Sequence, residues 1–269
     1  MKKILKIAGL LGLLLMAMPS LVAAQQQNVI TISVKGVSFK MVRVQGGTFT
    51  MGATPEQGDD AESYEKPTHQ VTLSDYYIGE TEVTQELWQA VMGYNPSFFN
   101  DKSDSKKCPV EYVSWNDCQT FIKKLNQLTG RNFRLPTEAE WEFAARGGIK
   151  SRHYKYAGGS DIGSVAWYYD NACEEGVSSL DFGTHPVGKK AANELGIYDM
   201  TGNVWEWCSD GYGDYSSSAQ TNPKGPSSAS HRVYRGGSWH NNARNCRVSC
   251  RCGWHPDSRY LNLGLRLAL

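Results

Sequence analysis

Arg134-Leu135-Pro136-Thr137-Glu138-Ala139-Glu140-Trp141-Glu142 runs directly into Phe143-Ala144-Ala145-Arg146-Gly147. Pro136 and Thr137 open a helix here, Glu140 completes a capping box three residues after Thr137, and Gly147 stops it. The helix carries three carboxylates among large apolar residues. Arg134, Arg146, Arg235 and Arg266 are the cations placed to meet Glu138, Glu140, Glu142 and Glu206 as buried structural ion pairs. N-terminal to this stretch, the spacing predicts two more helices. One follows the Thr84 cap from Gln85 to Met92 and ends at Gly93; the other starts at Ser114 and repeats Cys118, Phe121, Ile122 and Leu125 at helical spacing. Short apolar or alternating runs at 29–34, 37–44, 70–73 and 76–78 predict strands separated by Gly, Asn, Asp and Pro turns. Beyond Gly147 regular periodicity fades, and Gly, Asn, Ser, Asp and aromatic residues dominate. Loop amides there need partners from turns, side chains, water or a bound cation. The Ser-rich tract from Tyr215 to Ser230 offers few apolar groups and is expected to be an exposed, mobile loop.

Length and composition set outer limits. A chain of 269 residues with 40% hydrophobic and 20% charged residues can build a real core, and 28 basic against 27 acidic residues leave a formal net charge of +1. No global field exists to hold nucleic acid or an anionic membrane. Residues 1–24 read as a secretory signal: Lys2 and Lys3, an apolar run from Ile4 to Met18, then Pro19, Ser20 and the small pair Ala23 and Ala24. That run falls short of the ~20 residues a spanning helix needs, so no stable membrane insertion is expected and the mature protein is assigned to the periplasm or the exterior. Export makes Cys108, Cys118, Cys173, Cys208, Cys246, Cys250 and Cys252 disulfide candidates first of all, for instance Cys208 with Cys246. Seven is odd, so at least one thiol is free, bound to something or paired between chains.

Seven motifs occur in order: Gly46-Gly47-Thr48-Phe49-Thr50-Met51-Gly52, the Glu82-Val83-Thr84 to Trp88 spacing, Pro109-Val110-Glu111 before Trp115, the Arg134 to Glu142 run, Gly202-Asn203-Val204-Trp205-Glu206-Trp207, Arg235-Gly236-Gly237-Ser238, and Gly264-Leu265-Arg266. In these the chain resembles the formylglycine-generating enzyme, or sulfatase-modifying factor, family. The resemblance implies an α+β, variant C-type-lectin-like fold with little regular secondary structure, as a single domain over 41–269 preceded by a lead-in strand or linker at 25–40. It also implies an activity, the oxidation of a sulfatase cysteine to formylglycine with oxygen and copper(I) held by two cysteines. Counted from Ser238, which with Cys246 forms the catalytic candidate set, the second active cysteine falls on Cys246 and the first on Asn241. An amide oxygen does not replace a thiolate for a soft, monovalent ion. Were 246–252 an extended strand, Cys246, Cys250 and Cys252 would share a face, but roughly 13 Å of strand separates the first two.

The same family has a calcium site that maps onto Asp199, Gly202, Val204 and Glu206, with Asp199 in place of an amide ligand. Two carboxylates and two inward carbonyls form the oxygen-rich set calcium accepts; the alternative is a turn whose carboxylates meet backbone N–H groups or Arg side chains. Trp88, Trp115, Trp141, Trp205 and Trp207 are expected as core anchors. Related folds host iron-dependent sulfur chemistry on histidines, but the six histidines show no HExxH or similar ligand spacing. With one thiol replaced, the expected role is a binding or structural module for an extracytoplasmic polypeptide or glycan, stiffened by calcium, the fold outlasting its chemistry. The alternative is the copper-dependent oxidase.

Overall fold

The computed structural model describes residues 27–172 and 182–269; the expected signal sequence and Cys173 lie outside the described residues. In chain order the strands and helices are β1 (Val29–Val34), β2 (Val37–Val44), β3 (Gly47–Met51), β4 (His69–Leu73), β5 (Tyr76–Gly79), α1 (Gln85–Met92), α2 (Trp115–Thr129), α3 (Glu138–Ala145), α4 (Ile162–Val165), β6 (Trp205–Gly211), β7 (Gln220–Thr221), β8 (Arg232–Arg235), β9 (Arg251–Trp254) and β10 (Leu263–Leu265). They form three small sheets, ordered β1-β2-β5, β3-β4-β7 and β10-β6-β8-β9. The long stretches between them are turns and irregular backbone, as the loss of periodicity after Gly147 predicts.

Local chemistry explains the helices. Thr84, Ser114 and Thr137 each accept a backbone N–H at a helix start, and the capping boxes of Ser114 with Asp117 and Thr137 with Glu140 are both formed. Gly93 and Gly130 close α1 and α2 in the left-handed conformation. Residues 29–40 are strands of the body: β1 pairs with β2 throughout, and Ile32 and Val34 enter the same apolar cluster as Trp88, Phe121, Trp205 and Trp207. The Ser-rich tract departs from the mobile-loop expectation at two points. β7 hydrogen-bonds alongside β4, and the Tyr215 hydroxyl donates to Glu138 Oε1 at 3.1 Å. Few apolar groups are enough there, because edge amides and one aromatic ring supply the anchors.

α3 is buried along its whole length, carboxylates included. Glu142 pairs with Arg146 at 2.9 Å and also with Arg235; Glu138 pairs with Arg251 at 2.7 Å; Glu206 on β6 pairs with Arg266 at 2.7 Å. Arg134 reaches Glu140 through a more exposed pair at 2.6 Å. Burial pushes the Glu138 carboxyl up, and the charges of Arg251 and Arg235 more than reverse this and hold it below the usual carboxylate range. Arg235 and Arg251 stand on the C-terminal strands, so these pairs tie the helix to the β6–β8–β9 sheet.

Removing one partner of such a pair strands an unpaired buried charge. Glu142→Ala is expected to lower unfolding free energy by about 3–5 kcal/mol in a denaturant titration. Lys40→Ala, which removes an exposed pair with Glu80 at 3.3 Å, should change it by under about 1 kcal/mol.

Candidate functional site

β8 delivers the chain to Gly236 and Gly237, both at positive φ. A Cβ on Gly237 would stand 2.5 Å from Cys246 Sγ, so only glycine lets the turn close on this thiol. Cys246 ends a 3-10 turn (Ala243–Cys246), and strand geometry begins only at Arg251. The extended face expected for 246, 250 and 252 is therefore absent, because the 3-10 turn and the irregular 247–250 segment bend the chain. The Ser238 hydroxyl donates to Asn241 Oδ1 at 2.5 Å and accepts from Asn262 Nδ2 at 2.9 Å, while the Cys246 thiol lies 4.0 Å from the Ser238 carbonyl. Ser238, Asn241 and Cys246 are thus brought together around one turn, as the motif spacing requires. Cys246 is fully buried, and burial pushes its thiol up to about 12. As a donor set this is one protonated sulfur and an amide already engaged by a hydroxyl. It does not fit copper(I), which needs two thiolates.

The other sulfurs do not repair the set. Among the described residues all six cysteines are unpaired, Cys208 and Cys246 included. Cys208 lies on β6 in the cluster around Trp141 and Val233; Cys246 faces Gly237. Cys118 is inside the α2 core, and the Cys108 thiol faces the Thr184 carbonyl at 3.8 Å. The pair of thiols the structure brings into contact is Cys250 and Cys252. The contact from Cys250 draws the Cys252 thiol below its ordinary range despite burial, helped by the Tyr234 hydroxyl and the charges of Arg235 and Arg251. Alkylation of the native protein at neutral pH should label Cys252 well before Cys246, with mass spectrometry of the peptides as the readout; equal labelling would contradict this electrostatic ordering.

The loop from Asp199 to Glu206 is a second candidate. Gly202 takes φ of 80°, and a Cβ there would meet the Trp167 carbonyl at 2.2 Å. Asp199 Oδ2 accepts the Gly188 amide at 2.7 Å; Oδ1 is buried without a partner. Burial pushes the Asp199 carboxyl up to about 6, and Glu82 nearby, buried beside Asp199 and Glu206, is raised well above its ordinary value. Glu206 is differently placed. Arg266 Nε and Nη2 reach its Oε1 at 3.1 and 2.7 Å, and Arg266 Nε and Trp141 Nε1 reach Oε2 at 3.0 and 2.7 Å, which occupies all its lone-pair sites. No group of three or more His, Cys, Asp or Glu side chains among the described residues converges as a metal cage. Asp199 retains an open acceptor for a cation; Glu206, in this arrangement, does not.

Sequence reasoning missed the aromatic surface that borders the Ser238 turn. Rings of Phe98, Phe99, Trp239 and Phe182 follow one another edge to face at 5.1, 5.3 and 4.7 Å, and Phe182 continues to Tyr169 at 6.1 Å and His240 at 6.1 Å. Trp239 Nε1 donates to the carbonyl of Leu261, the residue after Tyr260, at 3.3 Å, and Tyr260 and Trp254 form a separate ring pair 5.2 Å apart. Phe98 is 64% exposed, Trp254 43% and Tyr260 41%. Single exposed aromatics carry no signal in a sequence; their adjacency exists only after folding.

Beneath this surface Glu111 is buried, with Oε1 accepting the Phe99 amide at 2.9 Å and Oε2 unpartnered. Burial pushes its carboxyl from 4.5 up to about 7. The folded state then binds a proton that the unfolded state releases between about pH 4.5 and 7, so this group makes stability fall as pH rises through that window. Glu111→Gln should raise the melting temperature at pH 8 and leave it nearly unchanged at pH 4, as followed by thermal unfolding.

Residues 28–269 match the family described as "Sulfatase-modifying factor enzyme 1-like domain". The chain is 34% identical to the "Chaperone protein LppX" of Paenibacillus barcinonensis, over 79% of this chain and 83% of that protein. It is 32% identical to the "Formylglycine-generating enzyme" of Streptomyces coelicolor, over 84% of this chain and 88% of that one. The solved structure "Treponema denticola variable protein 1" superimposes with a TM-score of 0.80 at 35% identity, over 90% of this chain and 99% of that chain. The mixed α and β single-domain fold expected from the motifs is therefore the observed one, and the chain belongs to the formylglycine-generating enzyme, or sulfatase-modifying factor, family.

Proposed function

We propose that this protein is an exported binding module that has kept the family's scaffold without its copper chemistry, and that it holds an extracytoplasmic polypeptide or glycan on the aromatic surface around Trp239 and Trp254. The observation that carries the reading is the turn at Ser238: the place of one copper ligand is an asparagine hydrogen-bonded to Ser238, and the other is a buried, protonated thiol. One thiol is a poor grip on a soft ion, and folds persist when their chemistry is lost. Exposed Trp, Tyr and Phe rings supply contact area at low entropic cost, which suits holding a partner. A relative named as a chaperone favours the polypeptide over the glycan. Export rests on the basic, apolar and small-residue order of 1–24, and among the described residues no helix is long and apolar enough to cross a membrane.

Calcium is proposed alongside this as a structural ion. Glu82, Asp199 and Glu206 bring three buried carboxylates against the single Arg266, and the excess must be met by protons or a cation. The engagement of Glu206 by Arg266 favours protons, while the open Asp199 Oδ1 favours the ion.

The purified chain, loaded with copper(I) and incubated with a cysteine-containing sulfatase peptide in air, is expected to bind no copper tightly and to form no formylglycine by mass spectrometry. Peptide selected by display against the folded protein should lose binding in the Phe98→Ala, Trp254→Ala double variant, with thermal stability unchanged. Formylglycine formation, lost on Cys246→Ser, would establish the oxidase instead. Calcium should raise the melting temperature of the native chain and leave that of Asp199→Ala unmoved; no shift in the native chain would remove the ion from the proposal.

A further inference from the structure

One end of the aromatic surface closes into a small pocket of about 160 Å³ lined by Trp205, Tyr234, Trp254, Tyr260, Asn262 and Leu263. It is well below the ~300 Å³ and upward of drug-sized ligand sites, and suits one compact chemical group. Its walls come from neighbouring strands. β10, β6, β8 and β9 lie side by side, and Leu263 is opposite Trp205 in register. The Trp205 and Tyr234 rings stand edge to face at 5.0 Å and 85°, and Trp254 and Tyr260 do the same at 5.2 Å and 79°. Four aromatic rings therefore surround one opening.

Elsewhere this chain covers its rings with its own cations. Arg232 lies over Trp115 at 4.3 Å, Lys190 over Trp167 at 4.0 Å, Arg235 over Trp141 at 5.3 Å and Arg251 over Tyr215 at 4.0 Å. The arginines near the pocket walls in the chain are held elsewhere, Arg235, next to Tyr234, by Glu142 and over Trp141. Arg232, opposite Trp254 in register, is engaged with Trp115 and the Ser209 carbonyl; Arg259, next to Tyr260, is paired with Asp117 at 2.7 Å. Among the described residues no Lys or Arg of the chain lies over the four pocket rings.

The polar groups narrow the ligand further. Asn262 Nδ2 is donated to Ser238, the Tyr234 hydroxyl is engaged with Cys252, and the two indole N–H groups are donors only. The lining offers a primary ammonium or guanidinium few acceptors, the Asn262 side-chain oxygen and the tyrosine hydroxyls, so part of its N–H groups would be desolvated without a partner. A quaternary ammonium has no N–H to satisfy and is attracted to ring faces.

We infer that the Trp205, Tyr234, Trp254 and Tyr260 rings form an aromatic cage for a quaternary ammonium group of the choline type. The inference rests on the reading of this surface as one for binding, and gives one end of it a chemical preference. Choline chloride titrated into the purified full chain, with tryptophan fluorescence as the readout and sodium chloride as the ionic-strength control, is expected to give a saturable change. Its neutral isostere 3,3-dimethylbutan-1-ol should bind at least about fivefold more weakly, and ethanolamine likewise. Trp254→Ala, at an exposed strand end, should abolish the choline response, while Tyr260→Phe, which keeps the ring face, should retain it. Equal binding of the neutral isostere or of ethanolamine, no saturable response to choline, or an undiminished response in Trp254→Ala, would each overturn the cage. Formylglycine formation would instead overturn the binding reading and leave the choline titration to be judged on its own result.

Discussion

Everything in this structure leans on carboxylates of one short helix held by arginines that arrive from far along the chain. α3 is too short to be stable alone and has no exposed face to solvate its charges. Its capping box starts it, but Arg146, Arg235 and Arg251 make burial of Glu138 and Glu142 tolerable. Hydrophobic residues of the same size could fill the space; what the ion pairs add is register, because a slip of β8 or β9 would strand several charges together. In a fold with three small sheets and long irregular connections, that register stands in for the continuous ladders of a larger sheet.

The same clamp positions the candidate site. Arg235 is the last residue of β8, so the pair that secures the helix also sets where the Gly236-Gly237 turn begins. From that turn come Ser238, Trp239 and Asn241, and Gly237 gives the room in which Cys246 is buried. On the proposed reading this turn keeps its scaffold without a copper donor set: Asn241 meets the Ser238 hydroxyl, and the Cys246 thiol is enclosed, with burial pushing its pKa up. A structural arrangement can survive that loss because its hydrogen bonds never depended on the metal.

Around the turn, the loops present rings rather than charges. Edge-to-face contacts stiffen Phe98, Phe99, Phe182 and Trp239 against one another, and a hydrogen bond from Trp239 to the Leu261 carbonyl ties this row to the segment that carries Tyr260. A stiff aromatic surface loses little entropy on meeting a partner. With a net charge near zero, the proposed recognition would be short-ranged, with the pocket between Trp205 and Tyr260 the place where shape and ring electrostatics act together.

Much of this was legible in the sequence. Thr84, Ser114 and Thr137 declare their helices because capping is chemistry among residues three apart, and the early strands show in alternation over a few positions. The pairing of Arg134, Arg146, Arg235 and Arg266 with glutamates was also readable, since long-range complementary charges in a buried setting have few other partners. The nearness of Ser238, Asn241 and Cys246 around one turn followed from the motif spacing. The sequence could not say that Glu206 belongs wholly to Arg266 and Trp141 and Asp199 does not, that Cys250 rather than Cys246 is the neighbour of Cys252, or that scattered rings such as Phe98, Tyr169 and Trp239 form one connected row. Those are contacts between loops with no periodicity, whose positions are set by tertiary packing, and a one-dimensional pattern carries spacing along the chain but no distance across it.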